Sequence, residues 1–309
     1  MCLVLRPAPA VSEKYEFMES LTTCDGKYEF AVSFMCVRLL VSRSGFYEWR
    51  DRGKSTTAQR RADISAVVEL SFAESEETYG YRRVHAELVR WGVDCSPELV
   101  RSIMRELGLV PCQPRPWRHS LTSADAGAGL IPDLVNRDFT AEVPGAKMVG
   151  DITYIPTWEG WLFLATVIDC HTKAIIGWAM DDNYKTPLIA AAITMAAQNC
   201  ALPADAVFHS DRGSNYTSQE FAETLRSLQI RQSVGRTGIC YDNAMAESFN
   251  AALKVERVHR TAYPTRKRAR TDIAEYIESR YNAKRLHSGL GYRTPHEVRD
   301  EYLDRQSAA

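Results

Sequence analysis

The sequence lacks the features that place a chain in a membrane or hold it together with disulfide bonds. None of its 309 residues belongs to an apolar run of about 18, the length that a membrane-spanning helix needs. Its eight cysteines are scattered without a C-x-x-C pair, and no histidine pair has zinc-finger spacing. Since no arginine-led apolar secretion segment begins the sequence, we expect reduced thiols, a cytoplasmic location and no membrane partner.

The sequence also lacks a charge excess that would indicate a partner. Its 38 lysine and arginine residues are balanced by 39 aspartate and glutamate residues, so the net charge is −1. A strongly basic total is typical of nucleic-acid-binding proteins, and this total is not basic. The two signs are separated along the chain, because residues 133–251 hold 8 basic and 14 acidic side chains whereas residues 252–300 hold 12 basic and 6 acidic ones. We therefore predict an acidic region followed by a basic one.

Helical patterns dominate the first third of the chain. Residues 1–27 show no periodicity, and we predict a poorly ordered leader there. Residues 28–115 carry apolar residues at helical spacing, with one helix start at Ser96. That helix has Arg101 and Arg105 on its polar face, which favours a helix-turn-helix region that binds DNA. A small helical bundle with a solvated basic face is the alternative.

The pattern changes after a linker. Residues 116–135 are rich in Ser, Ala and Gly, a composition that is typical of linkers. Residues 136–260 alternate between short apolar runs and helical patterns, which predicts a mixed α/β sheet with helices on its faces. A basic helical part at 261–300 and a tail at 301–309 follow. The predicted strands are 147–156, 161–169, 174–180, 206–210 and 230–234, and the predicted helices are 186–199, 218–228, 242–258 and 271–282.

Three carboxylates stand out within the α/β region. Asp151 lies inside the first predicted strand, where an unpaired acid is costly, while Asp211 follows the fourth strand and Glu247 lies on a helix. Since the first and fourth strands can be neighbours, the acids can converge, and such oxygen ligands suit Mg²⁺ or Mn²⁺. Asp211 as a turn residue and Glu247 as a solvated helix acid are the alternatives. Two further acids are interpreted as structural, Asp169 in a turn and Asp242 as a helix cap.

Short motifs in a fixed order resemble a known family. Asp211 and Glu247 are 36 positions apart. The motifs are YGYRRVH (79–85), LGL (107–109), DITYI (151–155), HSDRGSNYTS (209–218), YDNAMAESF (241–249) and YNAKRLHSGLGYRTP (281–295). Together they are similar to the OrfB-type transposases of bacterial insertion sequences, whose integrase core has the Asp, Asp-35-Glu arrangement.

This resemblance implies a fold, a cofactor and a set of catalytic residues. The fold is α/β, with a ribonuclease-H-like mixed five-stranded sheet flanked by helices and preceded by an all-α helix-turn-helix region. Asp151, Asp211 and Glu247 are implied as catalytic ligands of two Mg²⁺ or Mn²⁺ ions, which activate a nucleophile and stabilise the leaving oxygen of a phosphodiester.

The resemblance also selects candidate DNA contacts. Lys254 lies seven residues after Glu247, so both side chains point from one helix face and the lysine can reach a DNA phosphate. A solvated lysine is the alternative. The basic run at 266–270 is either a phosphate-tracking patch or a solvated loop, with neither favoured. The predicted DNA contacts are Lys254, Asn215, Arg101, Arg105, Arg266, Lys267, Arg268, Arg285 and His287.

The predicted function is that of a transposase, which cleaves DNA at insertion-sequence ends and transfers the released strand in a metal-dependent reaction. The expected partners are double-stranded DNA of the ends and of the target, further copies of the chain in a homo-oligomer, and an upstream-frame protein or fusion. We expect DNA affinity to fall with salt and to localise to residues 252–300. The alternatives are a ribonuclease-H-like nuclease without joining activity and a non-catalytic DNA-binding regulator.

Overall fold

The computed structural model describes residues 9–23, 26–52, 55–113, 131–235 and 243–308. Contacts divide the chain into two compact units, Met1–Leu70 and Ser71–Ala309. Among the described residues, no helix combines the length and the apolar character needed to cross a bilayer. Among the described cysteines, Cys36, Cys112, Cys170 and Cys200 are free thiols, which agrees with the expectation of reduced thiols.

Three short helices form the core of the first unit: α1 (Val11–Ser20), α2 (Val32–Leu39) and α3 (Arg43–Asp51). The predicted poorly ordered leader is therefore wrong for residues 11–20. The physical reason is burial, because Tyr15 and Met18 are enclosed in a cluster with Phe46. Gly45 permits the close approach of α1 and α3, since a Cβ at this position would lie 2.6 Å from the Tyr15 hydroxyl.

The next helices are α4 (Thr56–Glu74), α5 (Tyr81–Arg90) and α6 (Pro97–Glu106). α6 begins where the sequence predicts, because the Ser96 side chain accepts a hydrogen bond from the backbone N–H of Leu99. α5 and α6 pack against each other and leave Arg101 and Arg105 exposed. Their buried apolar residues are Val84, Leu88, Val100, Ile103 and Met104.

The predicted mixed five-stranded sheet forms the centre of the second unit. Its strands are β1 (Lys147–Thr157), β2 (Gly160–Asp169), β3 (Ile175–Asp181), β4 (Val207–Ser210) and β5 (Arg231–Val234), in the spatial order β3-β2-β1-β4-β5. β2 is antiparallel to β1 and β3, whereas β4 is parallel to β1 and β5. The predicted neighbourhood of the first and fourth strands is confirmed, with Val149 opposite His209. Since these strands are parallel, Asp151 and Asp211 follow at equivalent positions, two residues further along.

Helices cover both faces of this sheet. α7 (Thr186–Asn199) and α8 (Gln219–Ser227) pack on the face that carries Met148 and Phe208. α9 (Ala244–Glu256) and α10 (Arg266–Glu275) pack on the opposite face, against Val149 and Leu164. α9 therefore lies next to those β1 residues whose side chains point to the same face as Val149.

The carboxy-terminal region is more helical than predicted. α10 continues into a π-helix at Tyr276–Asn282, and α11 spans Pro295–Ser307. The basic run at 266–270 does not lie in a loop, because the Thr265 side chain accepts a hydrogen bond from Arg268 N–H and caps α10. The helix predicted from residue 271 therefore begins five residues earlier. The predicted tail belongs to α11 as far as Ser307.

Candidate active site

Asp151 lies in β1 and is held by hydrogen bonds. Its Oδ1 accepts a hydrogen bond from Ile152 N–H at 2.8 Å, and its Oδ2 accepts one from Asn250 Nδ2 at 2.8 Å. Asn250 is buried on α9, three residues after Glu247. Because residues three apart share a helix face, α9 both orients the Asp151 carboxylate and carries Glu247 on the same side.

The three predicted carboxylates interact electrostatically. Burial raises the pKa of Asp151 to about 7, and the negative charges of Asp211 and Glu247 contribute to the increase. Burial also raises the pKa of Glu247, with a further contribution from Asp211. Since like charges raise a pKa only when they are close, the structure brings together the acids that the sequence selects. Such a cluster is stabilised by protons or by a cation.

A buried tyrosine accompanies Asp211 in the loop after β4. Asp211 Oδ1 accepts a hydrogen bond from Gly213 N–H at 3.0 Å, which fixes the start of this loop. Tyr216 is buried, and its hydroxyl has no hydrogen-bond partner among the described residues. The pKa of Tyr216 is well above its ordinary value because of burial and the charges of Asp151 and Asp211. Tyr216 and Asn250 were not predicted, although the three-residue offset of Asn250 from Glu247 is a readable signal.

Lys254 lies near the acids, as the helical spacing predicts. Its Nζ is 4.5 Å from the centroid of the Tyr154 ring, a distance suited to a cation–π interaction. Burial lowers the pKa of Lys254, and the negative charge of Asp151 opposes this decrease. The exposed Tyr154 ring packs edge-to-face against Trp161. A lysine and two exposed aromatic rings therefore border the carboxylates.

The donor atoms around Asp151 suit a hard divalent cation. Besides the carboxylates, the side-chain oxygens of Asn243 and Asn250 are buried with no hydrogen-bond partner in the described part of the chain. Asn243 Nδ2 donates to the Gly150 carbonyl at 3.2 Å, so this amide lies beside the Asp151 backbone. Within the described ranges, no three Asp, Glu, His or Cys side chains already form a group that could hold a metal ion. The ligand chemistry therefore fits Mg²⁺ or Mn²⁺, and binding requires the carboxylates to draw together.

Four of the predicted DNA contacts are exposed arginines or lysines. Arg101 and Arg105 are exposed on α6, with the Arg101 guanidinium 5.7 Å from the centroid of the Tyr81 ring. Lys267 and Arg268 are exposed in the first turn of α10. These side chains are accessible to a DNA backbone, and their role as contacts stays a prediction.

The other predicted contacts are partly engaged within the protein. Arg266 Nε donates to the Trp161 carbonyl at 3.1 Å, and Asn215 is half-buried in the loop after β4. Arg285 is only 8% exposed, and its Nη2 donates to a Glu256 carboxylate oxygen at 2.6 Å. The ring of His287, which is partly buried, packs edge-to-face against Tyr281. Arg285 therefore does not present its guanidinium on the outer surface.

Asp169 and Asp242 are the two acids to which the sequence assigns structural roles. The turn role of Asp169 is confirmed, because its Oδ1 accepts from Gly145 N–H at 2.8 Å and its Oδ2 accepts from Thr172 N–H at 2.8 Å. Asp169 is buried at the end of β2, so it belongs to the fold and not to the acid cluster. The predicted helix cap at Asp242 lies outside the described residues.

Comparison with known proteins gives matches along most of the chain. The integrase core domain family matches residues 141–240, a second integrase core domain family matches residues 228–295, and an HTH-like domain matches residues 59–117. Transposase InsF for insertion sequence IS3A of Escherichia coli (strain K12) is 36% identical over 292 residues, which cover 94% of this chain and 99% of that protein. The insertion element IS600 uncharacterized 31 kDa protein of Shigella sonnei is 34% identical over 87% of this chain and 98% of that protein.

Two solved structures with weak similarity to this chain come from viral proteins. A chain of the simian T-cell lymphotropic virus intasome in complex with PP2A regulatory subunit B56 gamma has a TM-score of 0.43 and 16% identity, covering 69% of this chain and 73% of that one. The HTLV-2 integrase catalytic core domain in complex with magnesium has a TM-score of 0.39 and 18% identity, covering 51% and 97%. At scores below 0.5, neither structure assigns a site to this chain.

Proposed function

The chain belongs to the insertion-sequence transposases that carry an integrase core domain, and we propose that Asp151, Asp211 and Glu247 form its catalytic centre. It is a polynucleotidyl transferase of the DDE type with the ribonuclease-H-like fold that its motifs predict. One observation carries the catalytic assignment: Asp151 and Asp211 follow paired positions of the adjacent parallel strands β1 and β4, and Asn250, three residues after Glu247 on α9, donates to Asp151 at 2.8 Å. Acids from β1, from the loop after β4 and from α9 gain nothing structurally from this crowding, which is typical of functional sites.

These carboxylates would hold the divalent cofactor, with two Mg²⁺ or Mn²⁺ ions per site. When bound, such ions supply Lewis-acid stabilisation of the charge that develops on a reacting phosphate. The acids then act as ligands and not as a general acid and base. The hydrogen bond from Asn250 Nδ2 to Asp151 Oδ2 fixes the orientation of one carboxylate before the cofactor arrives.

The residues beside the acids would position the DNA. Lys254 Nζ would donate to a non-bridging phosphate oxygen, and the Tyr154 ring holds the ammonium group close to Asp151. Hydrolysis of a phosphodiester at the element end would release a 3′-hydroxyl. This hydroxyl would attack a target phosphodiester in line, the bond from phosphorus to the target 3′-oxygen would break, and that oxygen would leave as a 3′-hydroxyl, without a covalent bond to the protein. Lys254 would therefore hold a phosphate of the scissile strand beside the carboxylates.

The proposed partners follow from the same assignment. The two helices α5 and α6 lie within the HTH-like match and expose Arg101 and Arg105, which supports contact with double-stranded DNA of the element ends. We propose target DNA, a homo-oligomer assembled on DNA, and an upstream-frame protein or fusion as further partners. The proposed location is cytoplasmic, where the DNA of a bacterial element lies.

A strand-transfer assay on labelled insertion-sequence ends with Mg²⁺ tests the catalytic assignment. We expect Asp151→Asn and Glu247→Gln to lower joining by more than about 100-fold, since each removes charge that offsets the cofactor. Glu275→Gln is the matched control, because it removes an exposed helical carboxylate from α10 outside the acid cluster. Wild-type joining by the Asp151 and Glu247 variants would refute the assignment. Cleavage without joined products would instead support the alternative of a nuclease.

A further inference from the structure

A cavity of about 250 Å³ lies between the turn after β2, helix α5, helix α9 and the segment after the π-helix. We call it the cationic cavity. At about 30 Å³ per liquid water molecule, it has room for a tetrahedral anion together with several waters. Exposed Ser288 and Gly289 stand at its opening. It is lined by Arg83, Lys173, Met245, Ser248, Ala252, Tyr281, Arg285, His287, Ser288 and Gly289.

The cavity lies away from the acid cluster. Ala252 lines it, and this residue is five positions after Glu247 on α9. At about 100° per residue, five positions correspond to about 140° around the helix. Asn250, which donates to Asp151, lies on the Glu247 side of the helix. α9 therefore presents the catalytic residues on one side and the cavity lining on another.

The cationic cavity carries more positive charge than its surroundings neutralise. Arg285 donates from Nε and Nη2 to Glu256, which also accepts from the Tyr276 hydroxyl at 2.9 Å. Arg83 approaches the same carboxylate only to 3.8 Å. One buried carboxylate thus faces two guanidinium groups, and it is already saturated by Arg285 and Tyr276.

Lys173 adds a further positive charge. Its Nζ donates to the Phe139 carbonyl at 2.6 Å and to the Cys170 carbonyl at 2.8 Å, and neither acceptor carries a formal charge. Burial lowers the pKa of Lys173, and the pKa of Arg83 falls because of burial and the neighbouring Arg285. The three cations that line the cavity, Arg83, Lys173 and Arg285, therefore outnumber the Glu256 carboxylate that Arg83 and Arg285 contact.

His287 lines the cationic cavity and is affected by the positive charges of its neighbours. Its Nε2 is buried and has no hydrogen-bond partner among the described residues. The pKa of His287 is lowered to about 3 by burial and by the charges of Arg285, Arg83 and Lys173. The ring is therefore neutral at physiological pH, and a bound anion would allow Nε2 to gain a proton and donate a hydrogen bond.

We propose that the cationic cavity binds a phosphate group. The Arg83 guanidinium and the Arg285 Nη1 group supply positive donors, and the Ser248 and Ser288 hydroxyls supply neutral ones. Lys173 adds positive charge, while its three N–H groups donate to the Phe139 and Cys170 carbonyls and to Met245 Sδ. The phosphate comes either from the DNA backbone or from free phosphate in solution. The first source rests on the proposed function, whereas the second is independent of it.

Calorimetric titration of the full chain with inorganic phosphate tests the proposal. The titration is made at constant ionic strength in chloride buffer without divalent cations. Arg83→Gln removes a cation whose ion pair with Glu256 is long, at 3.8 Å, and Glu256 keeps its hydrogen bonds from Arg285 and Tyr276. We therefore expect a folded variant with at least about tenfold weaker binding. Arg82→Gln is the matched control, because it removes the same charge from an exposed neighbour on α5 that does not line the cavity.

A second variant tests whether binding depends on the volume of the cavity as well as on its positive charge. Ala252→Leu keeps every cation but fills part of the cavity, and we expect it to weaken phosphate binding as much as Arg83→Gln does. Saturable binding that both variants weaken and Arg82→Gln leaves intact supports the site. Absence of saturable binding to wild type, or equal losses in Arg82→Gln and Arg83→Gln, overturns it.

Duplex DNA binding distinguishes the two sources of phosphate. If a backbone phosphate occupies the cavity, Arg83→Gln and Ala252→Leu reduce DNA affinity, and Arg83→Gln lowers the slope of log K against log salt by about 0.9. If free phosphate is the ligand, both variants bind DNA as wild type does. Strand transfer keeps the two proposals apart. Wild-type protein that joins ends but shows no saturable phosphate binding refutes only the cavity, and wild-type joining by Asp151→Asn and Glu247→Gln proteins that still bind phosphate refutes only the catalytic assignment.

Discussion

Replacing Asp151 by asparagine is expected to stabilise the fold while it abolishes activity. The pKa of Asp151 is about 7 against an ordinary value of 3.8. At 1.36 kcal/mol per pKa unit, this difference of about 3 corresponds to about 4 kcal/mol of unfolding free energy. Because the native state holds the proton more tightly, the contribution of Asp151 to stability falls as pH rises from about 4 to about 7 and is constant above.

Asparagine removes the charge and retains the hydrogen bonds. Its carbonyl oxygen still accepts from Ile152 N–H, and the Asn250 amide can rotate so that its Oδ1, which has no partner among the described residues, accepts from the new amide. Because the new amide pair does not reproduce the original hydrogen bonds fully, we expect the free energy of unfolding to rise by about 1–3 kcal/mol at pH 8 and not by the full 4 kcal/mol. For a unit the size of Ser71–Ala309, that gain corresponds to a melting temperature higher by about 2–12 °C.

Thermal and urea unfolding at pH 4 and pH 8 measure this effect. The Asp151→Asn variant and wild type should differ little at pH 4 and most at pH 8, and Mg²⁺ should stabilise wild type but not the variant. Asp169→Asn is the control for a buried acid that is paired with donors, and it should lose about 1–3 kcal/mol because its amide would face N–H groups. An Asp151→Asn protein less stable than wild type at pH 8 would show that the carboxylates do not repel one another.

Three further perturbations test other parts of the structure. Lys254→Ala should weaken DNA binding and lower its salt slope by about 0.9, as measured by fluorescence anisotropy at several salt concentrations; an unchanged slope contradicts a phosphate contact. Arg285→Gln should cost about 3–5 kcal/mol in urea unfolding, because it leaves the Glu256 carboxylate buried without its main partner; a loss below about 1 kcal/mol contradicts this pairing. Gly177→Ala should cost about 1–3 kcal/mol, because the added Cβ would lie 2.2 Å from the Ala192 carbonyl of α7; wild-type stability contradicts such close packing.

The sheet was predictable because its signals are local. Each strand is a short apolar run with turn residues at its ends, and the Ala-rich helix α7 was predicted at its observed bounds, Thr186–Asn199. α1 was missed because its stability comes from a distant contact of Tyr15 with Phe46. The start of α10 was missed because four basic residues hide its periodicity, which depends on buried Ala269 and on the Thr265 cap.

The candidate site was predictable in its acids and not in their neighbours. The spacing of Asp211 and Glu247 is a property of the sequence, whereas the hydrogen bond from Asn250 to Asp151 depends on how α9 packs on β1. Tyr154 likewise becomes relevant only when Lys254 lies over its ring. A motif also does not reveal burial, so the sequence does not indicate that Glu256 engages Nε and Nη2 of Arg285, whose role as a DNA contact stays a prediction.

The number of basic residues in the sequence is larger than the number of cations available to a DNA backbone. Residues 252–300 contain 12 basic side chains, yet Arg257 pairs with Asp272 at 2.6 Å and Arg285 pairs with Glu256 at 2.6 Å. An arginine that is paired in this way must lose its partner before it can neutralise a phosphate, so it adds little to counterion release. Further arginines of this region that form ion pairs are Arg260, Arg266, Arg270, Arg293 and Arg299.

The basic region therefore offers DNA fewer cations than its composition implies. Lys267, Arg268 and Lys284 are exposed, and none of them forms an ion pair within the described ranges, while Lys254 faces the acid cluster. Each phosphate contact contributes about 0.9 to the salt slope, so a slope of about 4 would match these four residues, whereas the 12 basic residues would give one above about 10. Exposed Arg101 and Arg105 on α6 are then a comparable source of affinity, and residues 252–300 alone should account for only part of it.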